Sequence, residues 1–184
     1  MPDPDPALRP PALFRFCPRC GRGPVEPGQG PVFGCPGCGL HYHFNPTTAA
    51  GIVVEDEEGR VLFVRRAHEP ARGRLAVPGG FVDVNEAAEE AARRETREET
   101  GLEVDEIAFL GSWPNAYEYR GVVYPVLDLY FTGRARAGST ALPGHEAEEI
   151  LWRRPAEVDS AELAFPTTRA AIARFRATRG RGDG

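Results

Sequence analysis

Apolar and polar residues alternate in short segments over most of the chain beyond residue 46, a pattern typical of β-strands. Turn residues at 56–59 and at Arg120-Gly121 predict two hairpins. The predicted strands lie at residues 47–55, 60–66, 104–113, 116–119 and 122–132. The first of them is rich in Ala, Ile and Val, which predicts a buried strand.

Two longer segments carry helical patterns. In the first, Asp83 is placed to cap a helix, with Glu86 three residues later as its capping-box partner and Gly101 at the left-handed position that ends it. The second, which begins at Pro166, has Ile172 and other apolar residues on one face. Strands that alternate with helices favour an α/β fold of the α/β/α sandwich type.

Composition limits the function of this 184-residue chain. With 41% hydrophobic residues, it is long enough for one packed domain and a small appendage. The net charge is −5 and all 22 basic residues are arginines, so a general affinity for nucleic acid is not expected. An acidic protein that acts on phosphate groups needs a bridging cation.

The chain shows no signal for a membrane or for export. Because no apolar run approaches about 18 residues, no membrane-spanning helix is expected. The first residues lack a basic segment followed by an apolar core, so no signal peptide is expected and a cytoplasmic location is predicted. The proline-rich residues 1–13 and the residues 179–184 predict disordered termini.

Four cysteines follow in the spacing C-x2-C-x14-C-x2-C: Cys17, Cys20, Cys35 and Cys38. This pattern predicts a closed tetrahedral site for structural Zn²⁺. Two disulfides or redox motifs are alternatives that fit an intracellular chain less well. Since four cysteines complete the coordination, we interpret His41 and His43 as ordinary strand or linker residues. A segment of about 30 residues cannot bury a sufficient core unaided, so residues 14–45 are predicted to be a zinc ribbon.

Three glutamates in the predicted helix are spaced i, i+3 and i+4: Glu95, Glu98 and Glu99. They fall within about a third of the helix circumference, where like charges repel by a few tenths of a kcal/mol per pair. A multivalent cation would reverse that sign, and carboxylate-only ligation suits Mg²⁺ or Mn²⁺. The alternative is a solvated acidic helix face, which accounts for most runs of charge.

The residues around this triplet favour the metal site. The spacing G-x5-E-x7-R-E-U-x-E-E-x-G-U, in which U is a bulky apolar residue, is matched at eight of its nine defined positions: Gly80, Glu86, Arg94, Glu95, Glu98, Glu99, Gly101 and Leu102. The ninth holds Thr96. The stretch resembles the signature of the Nudix hydrolases. The resemblance implies a Nudix domain at residues 46–178, with an α/β/α sandwich around a mixed sheet.

The resemblance implies hydrolysis of the pyrophosphate bond in a nucleoside diphosphate derivative of the ADP-ribose or nucleotide-sugar type. Glu95, Glu98 and Glu99 are the implied ligands of Mg²⁺ or Mn²⁺. Glu146 stands six residues before Trp152, where many family members place a further ligand or general base. Two neighbouring glutamates, at 148 and 149, compete with Glu146, and Glu95 is an alternative base. Arg94 is expected to pair with Glu86.

Several residues are candidates for substrate binding through the same resemblance. Arg65 or Arg66 stands where a basic residue often meets phosphates, and we expect that contact for only one of them; the other reading is surface charge. Gly80 lets the backbone approach the site closely. Asp128, in a strongly apolar strand, is expected to have a structural partner and no catalytic role.

Three aromatic residues beside a turn could stack on a base or merely pack within a hairpin: Trp113, Tyr117 and Tyr119. They also bear on the subgroup. The NADH pyrophosphatases, whose zinc ribbon this chain also resembles, carry S-Q-P-W-P-F-P-x-S after the signature. Residues 112–115 (Ser-Trp-Pro-Asn) lack the Gln and the Phe-Pro. Action on NADH or NAD-capped RNA is therefore the alternative, and a non-catalytic module that binds a nucleotide or a protein is the rival of another class. Related ribbon-bearing enzymes are commonly dimers, which implies a homodimer.

Overall fold

The computed structural model describes residues 5–26 and 30–179. The chain forms two compact units, of which the first comprises Met1–Thr47 and Ala116–Val126 and the second comprises Thr48–Asn115 and Leu127–Gly184. The domain boundary that the sequence predicts between residues 45 and 46 remains a prediction.

The first unit contains a two-stranded antiparallel sheet, in which β1 (Val32–Gly34) pairs with β2 (His41–His43). Phe33 is buried together with Cys17 and Cys35. Partly buried side chains pack against them, among them Phe14, Val25, Leu40 and Phe44. The small core therefore surrounds the cysteines, as a zinc-stabilised ribbon requires.

The N-terminal segment contains two short helical turns, a 3-10 helix at Pro6–Leu8 and a single α-helical turn, α1 (Pro10–Leu13). The disorder that the sequence predicts for residues 1–13 stays a prediction. Proline suits the first positions of a helix, because its fixed φ matches and its missing N–H has no partner there. Residues 1–4 and 180–184 lie outside the described part of the chain.

A seven-stranded sheet dominates the second unit within the described residues. Its strands are β3 (Thr47–Glu55), β4 (Val61–Arg66), β5 (Leu75–Ala76), β6 (Gly79–Phe81), β7 (Val104–Tyr119), β8 (Val122–Ala135) and β9 (Ala147–Arg153). The main path runs β5-β4-β3-β8-β7, while β6 pairs with β3 and β9 pairs with β4. The hairpin turns predicted at 56–59 and at Arg120-Gly121 are confirmed.

One helix covers each face of the sheet. Helix α2 (Ala88–Thr100) buries Ala91 and Ala92 against β3 and β8 side chains such as Ile52. Helix α3 (Pro166–Arg179) buries Ile172 with its apolar neighbours against the opposite face. Two 3-10 helices, Pro155–Glu157 and Ser160–Glu162, precede α3. The predicted α/β/α sandwich is thereby confirmed.

The predicted start of α2 is wrong. The helix begins at Ala88, not after a cap at Asp83. Asn85 adopts a left-handed φ of 66°, which no helix can continue through. Glu86 instead closes a turn, since its carboxylate accepts a hydrogen bond from the Asp83 N–H at 2.9 Å. The predicted end is confirmed, because Gly101 has a φ of 72°.

The segment 104–119 is one continuous strand, where the sequence predicts two. Pro114 does not interrupt it, because β7 lies at the edge of the sheet and has a neighbouring strand on one side only. A proline, which lacks the N–H, is tolerated on such an edge strand. Among the described residues, no helix combines the length and the apolar character that a membrane crossing needs. The cytoplasmic location stays a prediction.

Candidate active site and metal centre

Two glycines on β6 bring the sheet against α2. Gly79 and Gly80 pair with Gly51 and Ala50 of β3. A Cβ atom on Gly80 would lie only 2.5 Å from Oε1 of Glu95. Since real Cβ contacts are essentially never that short, glycine lets the strand pass this carboxylate without displacing it. The predicted role of Gly80 as a point of close approach is thus realised toward Glu95.

Glu99 is the most enclosed carboxylate of the predicted triplet, with a residue exposure of 8%. Its Oε2 accepts a hydrogen bond from the Gly79 N–H at 3.3 Å. Burial, followed by the negative charge of Glu95, raises the pKa of Glu99 to about 8; the charge of Glu146 adds to the rise, and that of Arg66 opposes it. A cation bound at this carboxylate would therefore be stabilised by its surroundings.

The other two glutamates of the triplet share one arginine. Nη1 of Arg94 donates to Oε1 of Glu95 at 2.7 Å and to Oε2 of Glu98 at 3.3 Å. Burial raises the pKa of Glu95, and the bond from Arg94 opposes the rise. The Glu98 side chain is 57% exposed. The face of α2 thus presents one buried, one half-buried and one solvent-facing carboxylate.

Arg94 also fixes the turn that precedes α2. It donates to both carboxylate oxygens of Glu86 and to the Phe81 carbonyl, the latter at 3.0 Å. The Arg94–Glu86 pair that the sequence predicts is therefore present. Because one guanidinium binds residues before the helix and on it, the turn and the carboxylates form one hydrogen-bonded assembly.

A loop before β9 brings Glu146 to the same region. The Gly144 N–H donates to the Glu99 carbonyl at 2.8 Å, and the Glu146 carbonyl accepts from the Ala67 N–H at 3.0 Å. The loop is therefore tied to the end of α2 on one side and to the end of β4 on the other. The Glu146 side chain is exposed, and its charge raises the pKa of both Glu95 and Glu99.

The two competitors of Glu146 are engaged in ion pairs. Glu148 accepts from Arg72 at 3.0 Å, and Glu149 accepts from Arg65 at 2.9 Å. Arginine partners neutralise both carboxylates on the surface of the sheet. Of the three acidic residues at this position, Glu146 is the one whose charge acts on the carboxylates of α2.

The same ion pairs distinguish the two candidate arginines. Arg65 is held by Glu149 and also donates to the Gly73 carbonyl at 3.0 Å. Arg66 donates from Nε to the Pro70 carbonyl at 2.9 Å, and its guanidinium lies 5.1 Å from the ring centre of Phe165. The charge of Arg66 lowers the pKa of Glu99, so of the two candidates Arg66 is the one whose charge acts on this buried carboxylate.

The three candidate aromatic residues lie in different surroundings. Trp113 is half-buried and packs edge-on against Tyr130, with ring centres 5.8 Å apart. Tyr119 is exposed, and the guanidinium of Arg120 lies 5.1 Å from its ring centre. Tyr117 is half-buried. Of the three, Trp113 therefore has a packing partner in the core of the second unit.

The four cysteines form a compact group of free thiols in the first unit. Sγ of Cys17 lies 3.7 Å from that of Cys38, the same separation joins Cys20 and Cys35, and all four sulfurs lie within 4.8 Å of one another. Zinc–sulfur bonds of about 2.3 Å in a tetrahedron require sulfurs about 3.8 Å apart. The spacing therefore fits a tetrahedral zinc site.

The surroundings favour a thiolate at Cys35 and oppose one at Cys38. Hydrogen bonding by the backbone N–H of Cys38 outweighs burial and lowers the pKa of Cys35 to about 6. A backbone hydrogen bond from Leu40 favours the Cys38 thiolate, but burial and the neighbouring cysteines outweigh it and raise the pKa of Cys38 to about 11. Both histidines, His41 and His43, are exposed on β2. Within residues 5–26 and 30–179, the cysteines are the one group of three or more potential ligands that is gathered this closely. The glutamates lie farther apart, with Arg94 bound to two of them.

Sequence reasoning missed the partners of Asp128. Its Oδ2 accepts hydrogen bonds from Asn115 at 2.9 Å and from Thr167 at 2.6 Å. The expectation of a structural partner for Asp128 is confirmed. No local pattern could have identified these two residues, since they lie 13 and 39 positions away in the chain.

Comparison with known proteins agrees with this geometry. The family model for the NUDIX domain matches residues 45–175. A protein named NAD-capped RNA hydrolase NudC from Pseudomonas aeruginosa is 33% identical over 140 residues, which are 75% of this chain and 47% of that protein. An ADP-ribose pyrophosphatase from Methanocaldococcus jannaschii is 40% identical over 60 residues, which cover 33% of this chain and 35% of that protein.

A solved structure supports the fold. A NUDIX hydrolase from Nitrosomonas europaea superposes with a TM-score of 0.70 at 24% identity, over 92% of this chain and 94% of that one. The chain spans about half the length of the NudC relatives that it matches.

Proposed function

Because the chain belongs to the NUDIX domain family, we propose that it is a Mg²⁺-dependent hydrolase of the pyrophosphate bond in nucleoside diphosphate derivatives. The family match confirms the resemblance noted in residues 80–102. ADP-ribose is the substrate that we favour, and nucleotide sugars are of the same type. The relative named ADP-ribose pyrophosphatase supports this choice, since its match is 40% identical.

The observation that carries the proposal is the burial of Glu99 next to the charge of Glu95. Two carboxylates that are desolvated together are unfavourable unless a cation joins them. We assign the metal to Glu95, Glu98 and Glu99, with Glu146 available from the adjoining loop. An all-carboxylate set suits Mg²⁺ or Mn²⁺.

When bound there, the metal would neutralise phosphate charge and lower the pKa of a coordinated water. The residues of the chain supply the remaining functions. Arg66, whose charge lowers the pKa of Glu99, is assigned to the substrate phosphates. Arg94 keeps Glu95 and Glu98 oriented through its two hydrogen bonds. Trp113, Tyr117 and Tyr119 are the candidates for contact with the base.

We assign proton removal from the attacking water to Glu146. Its side chain is exposed and lies on a loop held at both ends, so it can reach solvent while remaining near α2. Glu95, the alternative base, already accepts a hydrogen bond from Arg94 at 2.7 Å. Because Arg94 holds this oxygen and the same carboxylate is assigned to the metal, Glu146 is the freer of the two to accept a proton. Glu146→Gln should therefore lower turnover without loss of metal binding.

The four cysteines are assigned to a structural Zn²⁺. Their sulfur separations of 3.7 Å match a tetrahedral zinc site, and the buried side chains of the first unit surround them. A closed set of four ligands leaves no position for a reacting water. The ion therefore stabilises the ribbon and takes no part in hydrolysis.

A substrate panel tests the proposed activity. The purified protein with Mg²⁺ should release AMP from ADP-ribose, with a higher kcat/KM than for NADH, a nucleotide sugar or a nucleoside triphosphate. The double variant Glu98→Gln, Glu99→Gln should lose turnover and keep its fold. Glu89→Gln, an exposed change on the same helix, is the matched control and should retain wild-type rates. Wild-type rates in the double variant would refute the metal assignment.

The second candidate is the hydrolysis of NADH or of NAD-capped RNA. It is favoured by the 33% identity to a protein named NAD-capped RNA hydrolase, and it would make RNA a partner that the acidic composition alone does not suggest. Both compounds belong in the panel. Turnover of NAD-capped RNA above that of ADP-ribose would select this candidate, and no hydrolysis of any compound would favour a non-catalytic binding module.

The homodimer implied by the resemblance also remains a prediction. Light scattering during size-exclusion chromatography would give the molar mass in solution directly.

A further inference from the structure

Asp128 lies on the face of the sheet that α3 covers, and it is 9% exposed. Among the described residues, hydrogen bonds reach only one of its two carboxylate oxygens. Oδ2 accepts from Nδ2 of Asn115 at 2.9 Å and from Oγ1 of Thr167 at 2.6 Å. Two donors on one oxygen fix the plane of the carboxylate and therefore the direction of Oδ1.

A chain of hydroxyls behind Asp128 reinforces this orientation. The Tyr130 hydroxyl lies 3.3 Å from Oγ1 of Thr167 and 3.1 Å from Oγ1 of Thr168. Thr167 has a single hydroxyl hydrogen, which it donates to Asp128, so toward Tyr130 it acts as an acceptor. The network anchors Oδ2 at the start of α3.

Oδ1 of Asp128 remains available to a ligand. No hydrogen bond to it is formed by the described residues, and among those residues no buried side-chain oxygen is without a partner. Oδ1 must therefore reach accessible space. A carboxylate oxygen that is held rigidly and left open is an acceptor site for a hydrogen-bond donor.

An aromatic side chain lies on the same strand face as Asn115, the residue that donates to Asp128. Trp113 lies two residues before Asn115 on β7, and side chains two apart on a strand share a face. The indole packs edge-on against Tyr130 and is half-buried, so part of the ring stays accessible. An aromatic ring beside a fixed acceptor suits a flat heterocycle that carries an amino group.

The proposed reaction centre lies across the strand pair β3–β6 from this network. The Tyr130 ring lies against Gly51, where a Cβ atom would be 3.4 Å from Cε1. Gly51 pairs with Gly79, and the Gly79 N–H donates to Glu99. One strand pair therefore separates the Asp128 network from the carboxylates of α2.

We propose that Asp128 determines base specificity: its Oδ1 accepts a hydrogen bond from the exocyclic amino group of a nucleobase that lies against Trp113. The inference rests on the proposed function, because it names the base of the nucleotide that α2 would hydrolyse. It selects 6-aminopurines over 6-oxopurines, since an oxo group offers no donor to the carboxylate.

Asp128→Asn separates this role from a structural one. The two donors to Oδ2 require an acceptor, so the amide oxygen of the new side chain takes that position and its NH₂ group takes the place of Oδ1. The substitution keeps the network and the shape while it turns the open acceptor into a donor. Base preference should therefore invert.

The experiment compares kcat/KM for ADP-ribose with that for its inosine analogue, in which an oxo group replaces the amino group at purine C6. The wild type should prefer ADP-ribose by about tenfold or more, as expected for a hydrogen bond to a charged group. Asp128→Asn should reverse the preference. Thr168→Val, which removes a hydroxyl from the same network without touching Asp128, should leave the ratio unchanged.

Binding of AMP and IMP, measured by isothermal titration, keeps the test independent of turnover. If neither ADP-ribose nor its inosine analogue is hydrolysed, the proposed function fails. A preference for binding AMP over IMP would still support the role of Asp128. Equal binding of AMP and IMP by the wild type overturns the inference, even if the Asp128→Asn protein does not fold. An equal loss of affinity for AMP and IMP in a folded Asp128→Asn protein also overturns the inference, because a purely structural role predicts that result.

Discussion

Arg94 donates from Nε and Nη2 to the two carboxylate oxygens of Glu86, at 2.8 and 3.0 Å. The two residues stand eight positions apart, one in the turn before α2 and one within it. This hydrogen bonding, together with that of the Asp83 N–H, lowers the pKa of Glu86 to about 2. A forked pair of this kind fixes geometry as well as charge, so it sets the position from which α2 presents its glutamates.

Arg94→Lys is expected to reduce turnover strongly while the protein stays folded. Lysine keeps the charge but has a single ammonium group, so it cannot bind both oxygens of Glu86 and also reach Glu95. Misplacement of reacting groups by about 1 Å can cost on the order of 100-fold in rate. Steady-state kinetics with ADP-ribose would show the loss mainly in kcat.

Arg97→Lys provides the control for this change on the same helix. Arg97 lies 3.8 Å from Glu103 in an ion pair whose partners are both about half exposed. Such surface pairs contribute little, so kcat should stay within about twofold of the wild-type value. If Arg94→Lys behaved like Arg97→Lys, the fork between Arg94 and Glu86 would have no role in positioning the site.

Glu99→Gln should raise the melting temperature of the protein near neutral pH when no Mg²⁺ is present. Burial raises the pKa of Glu99 to about 8, against about 4.3 in an unfolded chain. A carboxyl with a raised folded pKa costs stability as it ionises, so stability falls as the pH rises from the unfolded value toward about 8. Glutamine does not ionise, so the variant is spared this loss of stability.

Thermal scans without added Mg²⁺, from about pH 5 to about pH 9, measure this effect. The difference in melting temperature between Glu99→Gln and the wild type should widen up to about pH 8 and then stay constant. Added Mg²⁺ should narrow it by stabilising the wild type alone. Glu89→Gln should show no gap, since Glu89 is exposed. Parallel curves for Glu99→Gln and the wild type would contradict the prediction.

The purified protein should contain one zinc ion per chain, measured by inductively coupled plasma mass spectrometry. Cys35→Ser should lose the ion, because three thiolates and a neutral hydroxyl bind Zn²⁺ far less tightly. The double variant His41→Ala, His43→Ala should keep it, as both side chains are exposed on β2. Zinc loss in the histidine variant would show that the four cysteines do not complete the site.

Local spacing predicted the parts of the site that lie close together in sequence. Glu86 and Arg94 stand eight positions apart, and the sequence predicts their pairing as well as the end of α2 at Gly101. It does not predict the start of α2, because Asn85 adopts a left-handed conformation that its residue type permits but does not require.

Contacts between distant segments could not be predicted. Arg65 and Arg66 are equivalent in the sequence, and only the pairing of β4 with β9 places Glu149 against Arg65. The anchoring of Asp128 by Thr167 likewise depends on how α3 packs on the sheet. Sequence patterns specify the elements, whereas the partners of a charged side chain depend on the tertiary arrangement.

Thr96→Val should change the free energy of unfolding by less than about 1 kcal/mol and leave kcat unchanged. Thr96 occupies the one position at which the chain departs from the family's signature. It is fully buried, and its hydroxyl donates to the Ala92 carbonyl at 2.7 Å. That carbonyl remains in the helical hydrogen-bond pattern without it. A loss of several kcal/mol in chemical denaturation would show that the hydroxyl is required.

Arg66→Ala and Arg65→Ala form a matched pair, because the two residues are neighbours on β4 and differ in their partners. The charge of Arg66 acts on Glu99 of α2, whereas Arg65 is bound to Glu149 on the surface. Loss of a charged hydrogen bond to a phosphate should lower kcat/KM for ADP-ribose by about tenfold or more in Arg66→Ala. Arg65→Ala should stay within about threefold, as for other exposed ion pairs.

The kinetic pattern distinguishes phosphate binding by Arg66 from a structural role. A residue that binds the substrate alike in the ground and transition states changes KM and leaves kcat nearly constant. The Phe165 ring, which lies 5.1 Å from the Arg66 guanidinium, would retain its other contacts, so the melting temperature should change little. A large fall in the melting temperature of Arg66→Ala with unchanged KM would show that Arg66 stabilises the fold. A larger fall in kcat/KM for Arg65→Ala than for Arg66→Ala would assign the phosphate contact to Arg65.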